Sequence, residues 1–292
     1  MLKRLALVTA FAVAFGAAQS NAAELYGTLK KIKDNGQIVM GHREASVPFA
    51  YMAKDGKPIG YTVDLCYKII DRIKGTLKMP NLKVKLVPVT SQTRIPLLAN
   101  GTIDIECGST TNNLTRSKQI AYLAVTFITG TKLAVMKDSD IKEIEDLNGK
   151  AVALSLGTTN EKAIKRVAKA KGLKIKYHMV KDHPQGWLAL NTGRVDAYAT
   201  DHSLLYGLIS KSKDPSKYKV VGRFLSYDPY GIMVRRDDSA MQLLGNTVLA
   251  DLMRSGEMRK IYDKWFDPGP TNIQMPISSN LKTAFEIQAL PY

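Results

Sequence analysis

Two periodicities alternate along the chain. Short apolar runs rich in β-branched residues read as strands: "GQIVMGH" (36–42), "LKVKLVPVT" (82–90), "TIDIECG" (102–108), "KAVALSLG" (150–157), "KIKYHMV" (174–180) and "RVDAYAT" (194–200). Between them lie segments with helical spacing or helical caps. "YTVDLCYKIIDRIKG" places Val63, Tyr67, Ile70 and Lys74 at helical intervals and is expected to end at Gly75 as a C-cap. "RIPLLANG", "TTNEKAIKRVAKAKG" and "PQGWLALNTG" are the other helices. The most apolar stretch, "IAYLAVTFITGTKLAV", is broken by Gly130 and Lys132 and is rich in Val, Ile and Thr, so it reads as buried strand. Strands alternating with helices predict parallel α/β sheets.

One pattern occurs twice. "LANGTIDIECGSTT" (98–111) and "LNTGRVDAYATDHS" (190–203) each run from a helix end through a glycine cap and a β-branched–Asp pair into a strand that ends in hydroxyls. The same unit in each half predicts two similar α/β lobes. The strand-like stretches "VTFITGTKLAV" and "GRFLSYDPYGIMV" fall where the chain would cross to a second lobe near 130 and return near 226. The expected division is lobe 1 at 24–129 plus 227–292 and lobe 2 at 130–226, with the helix-rich segment from Asp238 to Phe266 packing back on lobe 1. In open α/β sheets ligands bind beyond the carboxyl ends of the strands. The polar ends "CGSTT", "SLGTT" and "ATDHS" would then face a common cleft.

The N-terminus stands apart from this plan. Lys3 and Arg4 precede an apolar run from Leu5, and small residues follow, the layout of a secretory signal peptide over 1–23. The run is short of the roughly 20 apolar residues of a membrane span. The expected product is exported and soluble, and losing the leader lowers the formal charge of +16 by two. The remaining lysines are scattered on helical faces, as in "EKAIKRVAKAKG", which reads as a solvated surface. Export and the lack of a basic, aromatic-interleaved stretch argue against a nucleic-acid partner. Cys66 and Cys107 could meet as a disulfide in an exported protein; two buried free thiols fit the sequence equally.

Catalytic motifs are missing. There is no G-x-S-x-G, P-loop or G-x-G-x-x-G, and His42, His178, His183 and His202 show no metal-ligand spacing. No metal or cofactor is expected. The polar strand ends offer other chemistry. "GSTTNNLTR" and "LGTTNE" read as hydroxyl-rich turns opening helices, whose free N–H groups and dipole favour an anion, although ordinary capping by Ser or Thr gives the same pattern. Arg43, Arg94 and Arg116 each follow a strand end, and a guanidinium matches a carboxylate. With His183 in "KDHPQ" they suggest a ligand with two carboxylates, while Asp201 suits an ammonium group.

"GHREASVPFAY", "TSQTRIPLLANGTIDIECGSTTNNLTR", "SLGTT" and "KDHPQG" resemble the polar amino-acid solute-binding proteins (family 3) of bacterial ABC importers, and among them the periplasmic binders of glutamate and aspartate. The resemblance covers roughly residues 27–275. It implies a two-lobed periplasmic binding protein-like fold of type II, with two α/β sheets joined by a two-strand hinge. It also implies that the ligand, L-glutamate or L-aspartate, passes to a membrane permease. Carried over by motif, Arg116 and Thr111 with the backbone at Thr159 hold the α-carboxylate, and Asp201 with Ser109 holds the α-ammonium. Arg43, Ser91, Arg94 and His183 hold the side-chain carboxylate. Phe49 is either an aromatic cleft wall or a core residue. The alternative is an exported cyclohexadienyl-type dehydratase, which shares the fold. It needs an acid/base residue, whereas the cleft set reads as basic and hydroxylic with one acid.

Overall fold

The computed structural model describes residues 25–268 and 270–291; the expected leader lies outside the described residues. The chain opens with α1 (Gly27–Asn35) and β1 (Gln37–His42). A small three-stranded sheet follows, made of β2 (Ala45–Ser46), β3 (Ala50–Met52) and β4 (Pro58–Ile59). Next come α2 (Tyr61–Leu77), β5 (Lys83–Pro88), α3 (Arg94–Ala99), β6 (Ile105–Cys107) and β7 (Ile120–Thr129). A second run holds β8 (Thr131–Met136), β9 (Ala151–Ser155), α4 (Thr159–Ala170), β10 (Lys176–Val180) and α5 (His183–Asn191). It continues with β11 (Ala197–Asp201), α6 (His202–Ser210) and β12 (Tyr218–Val221). The chain then returns through β13 (Asp228–Arg235) to α7 (Ser239–Arg254), α8 (Glu257–Phe266) and α9 (Ser279–Gln288).

The strands form two five-stranded sheets on one plan, β5-β1-β6-β13-β7 and β10-β9-β11-β8-β12. In each, a central strand (β1 or β9) pairs in parallel with two neighbours, and a long antiparallel strand (β13 or β8) follows. The repeated sequence unit has a repeated physical job. Asp104 N donates to Val39 O and Asp104 Oδ2 accepts from Val39 N, both at 2.8 Å. Asp196 does the same to Ala151, at 2.8 and 2.7 Å. Each Asp thereby ties its chain to the strand beside it.

Two expectations change, and one open alternative is resolved. α2 does not stop at Gly75; it runs on to Leu77, and Lys78 takes the left-handed C-terminal position at φ 55°. The extra turn buries Leu77 in the core with Cys66, Ile69, Ile70 and Ile73. The "GSTTNNLTR" turn does not open a helix. Thr111 instead makes a single antiparallel bridge to Tyr230, Asn113 Oδ1 accepts from Arg116 N at 3.0 Å, and only a short 3-10 turn (Arg116–Lys118) precedes β7. The segment has no apolar stripe, so a helix there would have nothing to bury. "LGTTNE" does open a helix, with Thr158 Oγ1 accepting from Glu161 N at 3.1 Å. Finally, Cys66 and Cys107 are disulfide-bonded, joining α2 to the end of β6.

The two sheets are linked at two places, through Gly130 between β7 and β8 and through 222–227 between β12 and β13. The links are bonded to each other: Thr131 N donates to Ser226 Oγ at 3.0 Å and Leu225 N to Thr131 O at 3.0 Å. A Cβ at residue 130 would lie 2.2 Å from Ser226 O, so only glycine lets the links lie this close. The first lobe is held by an aromatic cluster in which Phe127 packs 4.8 Å from Phe49 and 4.9 Å from Phe266. α7 packs on α2 and β7 of this lobe, as the sequence suggested. Among the described residues no helix is long and apolar enough to cross a membrane.

Candidate ligand-binding cleft

The strand ends of both sheets meet between the lobes, and the polar residues singled out from the sequence gather there. At one end Arg43 follows β1 and is fully buried. It forms an ion pair through Nη2 with Asp182, the N-cap of α5 in the other lobe. Ser91 Oγ donates to the same Asp182 Oδ1 at 3.3 Å. His183, the first residue of α5, is buried, with Nδ1 2.7 Å from the Tyr198 hydroxyl. Burial, and then the charge of Arg43, push His183 down to about 3, so its imidazole is neutral. With Nδ1 facing Tyr198, Nε2 is the nitrogen left for a ligand.

Arg94 lies between the two ends. It opens α3, is buried, and donates from Nη1 to Ser109 O at 3.1 Å and to Thr110 Oγ1 at 2.6 Å. Burial lowers the Arg43 and Arg116 guanidinium pKa values first, and the charge of Arg94 adds to both effects. At the second end Arg116 donates from Nη1 to Thr111 O at 2.8 Å and from Nη2 across the cleft to Gly157 O at 3.0 Å. Thr111 Oγ1 lies 3.2 Å from Thr159 Oγ1 of the opposite lobe and donates to Asp228 at 2.9 Å. Asp201 ends β11, accepting from Asn160 Nδ2 at 2.8 Å and from the Tyr230 hydroxyl at 2.5 Å. Burial first, and then Asp228, raise its carboxyl to about 7.

All nine candidates therefore lie along one inter-lobe seam. They fall into two ends: Arg43, Ser91 and His183 at one, Thr111, Arg116, Thr159 and Asp201 at the other, with Arg94 and Ser109 between. Several of their polar atoms are buried and lack a hydrogen-bond partner among the described residues: Arg43 Nε and Nη1, Arg94 Nε and Ser109 Oγ. Buried donors without acceptors cost about 1–3 kcal/mol each, and a polar ligand would satisfy them. A Cβ at Gly108 would lie 2.8 Å from Arg43 Cγ and 2.3 Å from Glu106 Oε1, so the strand end carrying Ser109 can pass Arg43 only as glycine.

The set is less basic than its sequence suggested. Besides Asp201, the acids Glu106, Asp182 and Asp228 sit in the same seam, which corrects the reading of a single acid. Glu106 Oε2 accepts from Thr110 Oγ1 at 2.8 Å. Asp228 and Tyr230 stand in "YDPYG", where only the strand pattern was legible, and Asp182 precedes His183 in "KDHPQ" as a capping box with Gln185. Phe49 is a core residue, fully buried and 5.1 Å from Tyr230, and forms no open wall of the cleft. His202 stacks edge-on with Tyr206 and Phe224, outside these contacts.

The model of the family described as bacterial extracellular solute-binding proteins, family 3, matches residues 38–268. The L-glutamate/L-aspartate-binding protein of Pseudomonas aeruginosa is 44% identical over 281 residues, spanning 94% of this chain and 93% of that protein. The glutamate/aspartate import solute-binding protein of Escherichia coli is 41% identical over 285 residues, spanning 96% and 94%. Among solved structures, the cysteine-binding protein of Campylobacter jejuni is similar with a TM-score of 0.75 at 25% identity, covering 87% of this chain and 98% of that one.

Proposed function

The chain belongs to the bacterial extracellular solute-binding proteins, family 3, and from that premise we propose that it binds L-glutamate, L-aspartate or both between its lobes and delivers them to the permease of an ABC importer. It is a binding protein and not an enzyme. The named relatives are binders, and Asp182, Glu106 and Asp228 each pair with a cleft side chain, Arg43, Thr110 and Thr111 in turn. The named relatives favour this reading over the dehydratase alternative. Working outside the inner membrane, in the periplasm, the protein would be carried there by the leader at 1–23. The lobes would divide at 24–129 plus 227–292 and 130–226.

Arg116, Thr111 and the backbone at Thr159 hold the α-carboxylate, and Asp201 with Ser109 holds the α-ammonium. Arg43, Ser91, Arg94 and His183 hold the side-chain carboxylate. The observation that carries this assignment is the pair of ends. Three buried guanidiniums and a buried acid line one seam, and Arg43 and Arg94 keep donors there with no acceptor among the described residues, which supports a ligand with a second carboxylate. Micromolar binding requires about −8 kcal/mol, which several charge-assisted bonds in a desolvated cleft can supply. Calorimetric titration with the twenty amino acids tests the reading, with only the two acidic ones expected to bind tightly. Arg94→Leu should cost about 2–5 kcal/mol of that binding, and Arg116→Ala should abolish it. A parent protein that prefers a neutral amino acid, or an Arg94→Leu variant that binds L-glutamate like the parent, would refute the distal-carboxylate assignment.

A further inference from the structure

Asp182 reaches across the cleft to the groups assigned to the ligand's side-chain carboxylate. It is fixed from its own lobe as the N-cap of α5, with Oδ1 accepting from His183 N at 2.9 Å and its N–H donating to Gln185 Oε1 at 3.1 Å. From the other lobe Arg43 Nη2 and Ser91 Oγ converge on that same Oδ1. Arg43 is fully buried, and its Nε and Nη1 have no acceptor among the described residues. A guanidinium is a rigid planar fork, so fixing one nitrogen fixes the direction of the other two.

We propose that Asp182 is a positioning residue for the ligand's side-chain carboxylate: holding Arg43 Nη2 from across the seam, it turns the guanidinium so that the unpartnered Nη1 is presented to that carboxylate, and does so only when the lobes are shut. The proposal rests on the reading of the cleft as a site for dicarboxylic amino acids. Recognition of the second carboxylate and closure of the cleft then share one ion pair. An open protein would present a mobile Arg43, and a closed one a fixed fork.

The rival role for Asp182 is capping alone, and two substitutions separate the two. Asp182→Ser keeps a good capping oxygen but is too short to hold Arg43, whereas Asp182→Asn keeps both the cap and the Oδ1 acceptor. Both variants and the parent, as full chains, are titrated with L-glutamate and L-aspartate in a calorimeter and unfolded thermally without ligand. The Ser variant should unfold within about two degrees of the parent yet lose about tenfold or more in affinity for both acids; the Asn variant should stay within about threefold. Three results overturn the proposal: a Ser variant that binds like the parent, equal losses in both variants, or a Ser variant that binds weakly and also unfolds early. A parent that binds neither acid sinks the dicarboxylic reading and this proposal with it. A parent that binds, beside an indifferent Ser variant, sinks this proposal alone.

Discussion

Asp201 is buried at the end of β11 with no Lys or Arg in ion-pair contact among the described residues, and burial and Asp228 raise its carboxyl from an ordinary 3.8 to about 7. The raised value means that folding gains from the protonated acid at low pH and loses that gain as pH rises through about 7. An ammonium group needs the opposite form, the carboxylate. Ligand binding below about pH 7 should therefore release a proton, and affinity for L-glutamate should fall toward tenfold per pH unit as the solution is acidified from pH 8 to 5.5. His183, held down near 3, stays neutral across that range and adds no dependence of its own. Calorimetry in buffers of different ionisation heat counts the proton. A flat affinity profile would show that Asp201 does not meet the ammonium, and Asp201→Asn should itself flatten the profile. At this scale the arginines were legible because each stands just past a strand end. Asp182, Glu106 and Asp228 were not, because what makes them cleft acids is burial against side chains from other elements.

The repeated helix–Gly–strand unit is the clearest case of an element written into the sequence. Both copies place an Asp that closes two bonds on the neighbouring strand, and both deliver a polar strand end to the seam. The disulfide between Cys66 and Cys107 adds a constraint on the first copy, clamping β6 to α2 just before the loop that carries Ser109 and Thr111. The bonded cysteines are 41 residues apart, and the chain-entropy estimate for a loop of this size is roughly 3–4 kcal/mol. Reduction should lower the melting temperature by several degrees in scanning calorimetry with and without a reductant, and replacing both cysteines by alanine should match the reduced protein. Equal melting temperatures would mean that packing of α2 on β6 supplies the restraint unaided. The sequence placed both cysteines on adjoining elements but left the bond open, since pairing depends on how α2 lies over the sheet. The misread end of α2 has the same origin: Gly75 is a local stop signal, and burial of Leu77 outweighed it.

At the scale of the whole molecule the lobes meet over more than the cleft. Leu204 of α6 is buried with the first-lobe core, and a Cβ at Gly207 would lie 2.1 Å from Val47 O, so α6 sits directly on the first lobe. These contacts, with Arg43–Asp182 and Arg116–Gly157, exist only while the lobes are together. Ligand held from both sides should favour this closed form. Saturating L-glutamate should reduce the radius of gyration in small-angle scattering. At about 100 times the dissociation constant it should add about 2.7 kcal/mol of stability, seen as a higher melting temperature. An unchanged radius in a sample that calorimetry shows to be saturated would mean that the lobes do not clamp the ligand.

The sequence by itself determined the alternation of strand and helix, the duplication into two lobes, and the family. These are written in local periodicity, caps, one repeated unit and short motifs, and none depends on how distant segments pack. Tertiary structure alone decided that "GSTTNNLTR" bridges to Tyr230 instead of opening a helix, that Cys66 bonds Cys107, and that Phe49 joins the aromatic core. It also decided that four acids share the seam with three arginines. Residues far apart in the chain make each of those outcomes, and the free energy that settles them, from burial, desolvation and pairing across the cleft, belongs to no single segment.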